Sequence, residues 1–265
     1  MKKYYGFKRN FEKKNSKAIE KHTHKARKSL VKVRFSFLGY NSFSYYNDKF
    51  DLKVGDQVYV EGKFEGMKGT VEEVCYSFKI KPSDYKKVIS VVDTSISGDF
   101  YIAGEFVISF SKNTLSPRKI RTWFNAPSDE EFVCSVDEEN RFPLDNLKKM
   151  DIRSEIIERG KDYYHQGLVK CVIMNGSHGF AIVDGSKAYE VEFDYDGEII
   201  SNLTCTCPCT FNCKHEYAVM LRLQDILRCI KKHYGTEHNG YFAAISKRNF
   251  MDIVMTKDVT GKISL

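Results

Sequence analysis

Residues 204–215 read TCTCPCTFNCKH, and this short run constrains the chain more tightly than any other feature of it. Thiolate and imidazole at such spacing are the donors of a tetrahedral d10 cation such as Zn2+, which holds sulfur and nitrogen at about 2.0–2.3 Å. Cys205 and Cys207 stand two apart, so at the end of a strand their side chains share a face. Cys213 and His215 form a second pair at the entry to a predicted helix, where the helix dipole favours thiolate over thiol. Cys209 extends the first pair to Cys-x-Cys-x-Cys and competes for either of its positions. A disulfide between thiols this close is strained. Three thiolates and one neutral imidazole close the coordination sphere, so the expected site is structural and not hydrolytic.

The flanking pattern fits such a site. Ile152, Ile156, Ile157, Tyr163 and Tyr164 recur at helical spacing before Gly167, which stops the helix. Strands are predicted over 169–174, 179–184 and 188–194, joined by Asn175-Gly176 and Asp184-Gly185 turns. Asp196-Gly197 turns the chain into a further strand over 199–204. After the cluster, Val219, Leu223, Ile226, Leu227 and Ile230 mark an amphipathic helix.

Cys-x-Cys-x5-Cys-x-His, with Pro208 after the second cysteine and Lys214 between the last two ligands, resembles a SWIM-type zinc finger. Upstream, the run from Arg159 to Tyr164, then Gly167 to Val169, then Gly185 to Val191, is similar to the helix and strands of that family. The resemblance spans residues 151–228 and implies zinc bound by Cys205, Cys207, Cys213 and His215. Its spacing leaves Cys209 outside the ligand set. It also implies a DNA-binding or protein-binding role, although the helicase and transposase motifs that accompany such modules elsewhere are missing from this sequence.

A second unit is expected over residues 31–92. Val31, Val33, Phe35 and Phe37 alternate with more polar neighbours, the period-2 pattern of a half-buried strand. Gly55, Asp56, Val58, Val60, Gly62, Phe64, Gly66, Gly69 and Val71 then resemble a KOW-type small β-barrel. Residues 93–150 read as a β-rich connector or an extension of that barrel, residues 151–232 as the zinc module, and residues 233–265 as a tail of a strand or two. The expected fold class is therefore α+β: a small β-barrel-like unit followed by helix, β-hairpins, zinc turn and helix.

Charge adds the last region. Residues 1–34 hold thirteen Lys and Arg against two acidic residues, or +11, so the overall +7 leaves −4 for the rest. Residues 1–30 are a basic arm, disordered or loosely helical, with too little apolar surface to fold alone. Lys2, Lys3, Lys8, Arg9, Lys13 and Lys14, interleaved with Tyr4, Tyr5, Phe7 and Phe11, suit a phosphate backbone and its bases. The plain alternative is a solvated tail, and His22 and His24 within it read as solvent-facing.

These observations bound the function. No stretch approaches the roughly 18 apolar residues of a membrane helix, and the basic N-terminus lacks the apolar core of a secretory signal. The eight cysteines are then expected to be thiols or metal ligands in the cytoplasm. Cys75, Cys134, Cys171 and Cys229 read as ordinary thiols, Trp123 as core, and the acidic runs 129–131 and 137–139 as solvated turns. No phosphate loop, dinucleotide fingerprint or nucleophile elbow is present, so no enzymatic activity is expected. Nucleic-acid binding, DNA or RNA, is the expected role, with a protein-interaction adaptor on the same zinc module as the alternative.

Overall fold

The computed structural model describes residues 27–127, 141–234, 240–254 and 262–264. The fold is α+β and is built on two sheets. The first sheet comprises β1 (Ser29–Arg34), β2 (Ser42–Asn47), β3 (Gln57–Val60), β4 (Gly69–Cys75) and β5 (Val88–Val91), in the order β2-β1-β4-β3-β5. Along β1, buried Val31 and Val33 alternate with solvent-facing Lys32 and half-buried Arg34, as the sequence pattern predicts. With Phe35, Val58, Val60, Phe64 and Val71 they make a core of the sheet's own. At the turn before β3, the Asp56 carboxylate accepts from the Lys53 amide at 2.8 Å.

The barrel-like expectation for this unit requires a correction, because the sheet stays open. Its edge strands touch at a single isolated bridge between Tyr46 and Lys87, with no continuous ladder between them. The reason lies in β3 and β5, each only four residues long. They send Tyr59 and Ile89 out of the small core and into a second one, so this flank docks instead of closing.

The remaining elements are β6 (Asp99–Ala103), β7 (Phe106–Ser109), α1 (Pro117–Phe124), β8 (Phe142–Pro143), α2 (Ser154–His165), β9 (Val169–Asn175), β10 (His178–Asp184), β11 (Ala188–Tyr195), β12 (Ile199–Cys205), α3 (Lys214–Tyr234), β13 (Tyr241–Ser246), α4 (Lys247–Val254) and β14 (Lys262–Ser264). The strands form one nine-stranded sheet, β14-β6-β7-β13-β9-β10-β11-β12-β8, antiparallel except for the β14–β6 edge. Segment 93–150 thus supplies β6, β7 and β8 to this sheet, and β13 from the C-terminal segment sits between β7 and β9.

This sheet is a middle layer, buried on both faces. On β9, Val172 and Met174 point to one core while Cys171 and Ile173 point to the other. β10 divides the same way, Ala181 and Val183 against Phe180 and Ile182. Strict alternation between two apolar layers is why these strands read as nearly unbroken hydrophobic runs. α3 covers the first face with Val219, Leu223, Ile226 and Ile230. α1 and α4 contribute Ile120, Trp123, Phe250 and Ile253 to the second. Trp123 is fully buried, and its indole N–H donates to the Asp93 carbonyl at 2.7 Å. The Tyr59 hydroxyl donates to the Thr122 carbonyl at 3.1 Å, and the Lys68 ammonium to that of Trp123 at 2.6 Å, tying the small sheet to α1.

Candidate metal centre

Cys205 is the last residue of β12, whose register sets it opposite Val191 on β11. The ladder is prolonged by Thr206, whose amide donates to the Glu190 carbonyl while its hydroxyl accepts from the Glu190 amide, both at 3.0 Å. Cys207 follows at the turn. Cys213 immediately precedes α3, and His215 is the second residue of that helix. Two consecutive elements are thereby folded onto one point: a strand end and a helix start.

The start of α3 is held by a device of its own. Cys213 stands at the N-cap, and the Glu216 carboxylate three residues on accepts from its amide at 2.6 Å. This is half of a capping box, with a thiol where serine or threonine usually stands. Behind it, Gly160 of α2 lies so near that a Cβ there would meet Tyr217 at 2.8 Å and the Lys214 carbonyl at 3.2 Å. Glycine at 160 therefore sets how closely α2 approaches the turn that carries two of the four donors. Asn212 secures the loop by donating to the Asp151 carbonyl at 2.8 Å.

One donor atom from each of Cys205, Cys207, Cys213 and His215 falls within 4.8 Å of the others. His215 Nδ1 is 3.7 Å from Cys205 Sγ and 3.6 Å from Cys213 Sγ. A tetrahedral ion with bonds of about 2.3 Å to sulfur and 2.0–2.1 Å to nitrogen demands a separation of about 3.6 Å. The quartet therefore fits a metal ion held through Nδ1. Cys213 and His215 are buried, at 2% and 3% exposure, Cys207 is buried, and Cys205 is half-buried. Cys209 is exposed and lies outside the group, so the structure separates it from the four.

The chemistry of the donors agrees with the geometry. Cys213 is pushed up by the adjoining Cys205 thiol, and Cys207 by Cys213 and then by burial. A cation that draws thiolate charge would offset both the crowding and the burial that hold Cys207 and Cys213 up. Burial, aided by Lys214 and Arg159, lowers His215 to about 4, so the imidazole is neutral and ready to donate a lone pair. Its ring stacks on Tyr189 at 4.6 Å and meets the edge of Tyr163 at 5.2 Å, and its Nε2 is buried without a partner among the described residues. The Tyr189 hydroxyl is anchored on Ser186 at 2.7 Å. A bound ion would clamp β12 to α3, and the four donors would fill its tetrahedron.

Glu216, Tyr189 and Gly160 support the centre without being singled out by the sequence. Glu216 had a readable signal, an acid three residues after a candidate N-cap. Gly160 and Tyr189 fall within the runs 159–164 and 185–191 that resemble the family, but nothing local marks their roles, which depend on contacts across the fold. The basic residues proposed to meet phosphate, Lys2, Lys3, Lys8, Arg9, Lys13 and Lys14, lie outside the described residues, as do His22, His24 and both acidic runs. Among the described residues no helix is long and apolar enough to cross a membrane.

No family model and no solved structure matches the chain. An uncharacterized protein of the archaeon Methanocaldococcus jannaschii is 42% identical over 71 residues, a stretch that makes up 27% of this chain and 30% of that protein. The shared stretch thus covers well under two thirds of that relative.

Proposed function

We propose that this chain is a nucleic-acid-binding protein of the SWIM type, with Zn2+ in a structural role at Cys205, Cys207, Cys213 and His215 and no catalytic step. The observation that carries the reading is on the metal loop itself. Phe211 stands 72% exposed at its tip, with the Arg153 guanidinium 5.2 Å from its ring. Beside it, Lys214 lies over Tyr163 at 4.9 Å, and Arg159 adds positive charge around His215. An exposed ring flanked by cations is what a base and its phosphate require, and an ion that orders the loop fixes the ring in place. The basic arm supports the same reading through its charge alone, and the glycine-punctuated small sheet through its KOW-like pattern.

Metal analysis combined with native mass spectrometry in the presence of oligonucleotides tests this directly. One zinc per chain and an oligonucleotide adduct are expected. Reversing the charge at Lys2, Lys3, Lys8, Arg9, Lys13 and Lys14, or changing Phe211→Ala, should weaken the adduct, and the affinity should fall steeply with salt. The adaptor reading draws on exposed Phe37, Tyr40 and Met67 in the loops of the small sheet. Zinc at full stoichiometry with no adduct would favour it.

A further inference from the structure

Between the small sheet and α1 lies a cleft of about 1300 Å3. Its walls come from β5, from α1, from the β10–β11 turn and from Thr206 on the metal loop. Pockets for single small molecules run to roughly 300–1,000 Å3, so this one suits an extended chain better.

Its charges fall into two sets. Lys119 is paired with Asp93 at 3.1 Å, and Arg121 with Glu190 at 3.1 Å while lying 4.4 Å over the Phe180 ring. Those cations are neutralised, and they brace the walls. Arg118 on α1 and Lys187 on the β10–β11 turn also line the cleft, are exposed, and form no ion pair among the described residues. Between them the lining is mixed: half-buried Phe50 and Ile89 on the small-sheet side and Ala188 on the other are interspersed with Ser90, Asn113, Thr122 and Asn125. Unpaired cations at the rim, with polar side chains and a half-buried ring between them, offer a single strand contacts for its phosphates and hydrogen-bonding partners for its unpaired bases. A duplex keeps its bases paired inside and has no free base edges to offer these polar groups.

We infer that this cleft seats single-stranded nucleic acid, with Arg118 and Lys187 as its phosphate contacts. The inference rests on the nucleic-acid reading above and deepens it by locating the strand. It also links the two sites. Thr206, between ligands Cys205 and Cys207, forms part of the cleft wall through its paired bonds to Glu190. An ion that holds the loop therefore holds that wall.

Fluorescence anisotropy on the full chain provides the test, using a labelled oligothymidine, a duplex of the same length, and polyglutamate as competitor. The single strand should bind more tightly than the duplex. R118E/K187E should bind it at least tenfold more weakly, with a log–log salt slope flatter by about 1.4, two contacts at about 0.7 each. R118Q/K187Q should fall between the two, and both variants should melt like the wild type, since the two side chains are exposed. Lys63→Glu, outside the cleft, should bind normally. Equal affinity and slope in R118E/K187E would move the strand off the cleft while leaving nucleic-acid binding intact. Binding to neither DNA, nor to an oligouridine of the same length, would overturn both claims. A preference for duplex, or displacement by polyglutamate at equal charge, would overturn the assignment of the occupant.

Discussion

The small sheet and the metal loop solve the same problem by opposite means. The sheet buries Val31, Val33, Phe35, Val58 and Val60 against one another, and apolar burial holds it. Around the metal centre the buried set shrinks to Tyr189, Cys207 and Cys213, with Cys205 at its edge. Residues 206–212 carry a single large apolar side chain, Phe211, and that one is exposed. A loop with so little to bury has to be ordered by a bond of another kind. The difference teaches that if an ion is that bond, its loss should unfold the strand–helix junction, whereas the small sheet should be indifferent to it.

The strongest test of that contrast is Cys213→Ser. Structural zinc contributes on the order of 10–16 kcal/mol to comparable sites, so the variant should lose metal and unfold around α3. Circular dichroism with metal analysis reads this out, and a native-like melt without metal would break the comparison. Phe35→Ala should cost about 3–5 kcal/mol as a buried aromatic truncation, with zinc stoichiometry unchanged. If its zinc also fell, the two regions would not be independent.

Acid should separate them as well. Metal binding requires deprotonated ligands, so affinity falls as pH falls. In the metal-free state, His215 is lowered to about 4 in the fold against 6.5 in the unfolded chain. The unfolded chain therefore takes up the proton first, so this contribution is complete above 6.5 and is lost as pH drops towards 4. A pH titration followed by zinc release and tryptophan-independent tyrosine signals should show the junction failing before the small sheet.

Gly160→Ala is smaller in effect. Helix propensity favours alanine by about 1 kcal/mol, but the new methyl meets Tyr217 and the Lys214 carbonyl, and overpacking costs about 1–3 kcal/mol. A net loss of stability with weakened zinc affinity is expected from chemical denaturation and chelator competition, and a stabilised variant would show that α2 can retreat from the turn. Smallest of all is Cys209→Ser, for which full zinc stoichiometry is expected. A half-loaded protein would return Cys209 to the ligand set.

Much of the α+β content was legible because its signals are local. Turn pairs such as Asn175-Gly176 and the spacing of Val219, Leu223 and Ile230 mark strands and helix without reference to the rest of the chain. The four donors were legible for a related reason: few arrangements of thiol and imidazole over eleven residues make sense other than around an ion. Barrel closure was misjudged because Tyr59 and Ile89 are ordinary strand residues until a second core exists to receive them. The tail showed a strand but not its position, since the YFAAIS run of β13 has the same pattern at an edge as between β7 and β9.

By itself, then, the sequence determined which residues can bind an ion, where most strands and helices begin, and where positive charge concentrates. Only the tertiary structure decided that β6, β7, β13 and the hairpins leading to the cysteine cluster share one sheet, that Glu216 caps α3 while Gly160 lets α2 approach its start, and that Arg118 and Lys187 line one cleft. The physical reason is range. Backbone conformation and ligand spacing are settled within a few residues, but sheet order and cavity walls depend on segments that meet only when their apolar faces are buried together.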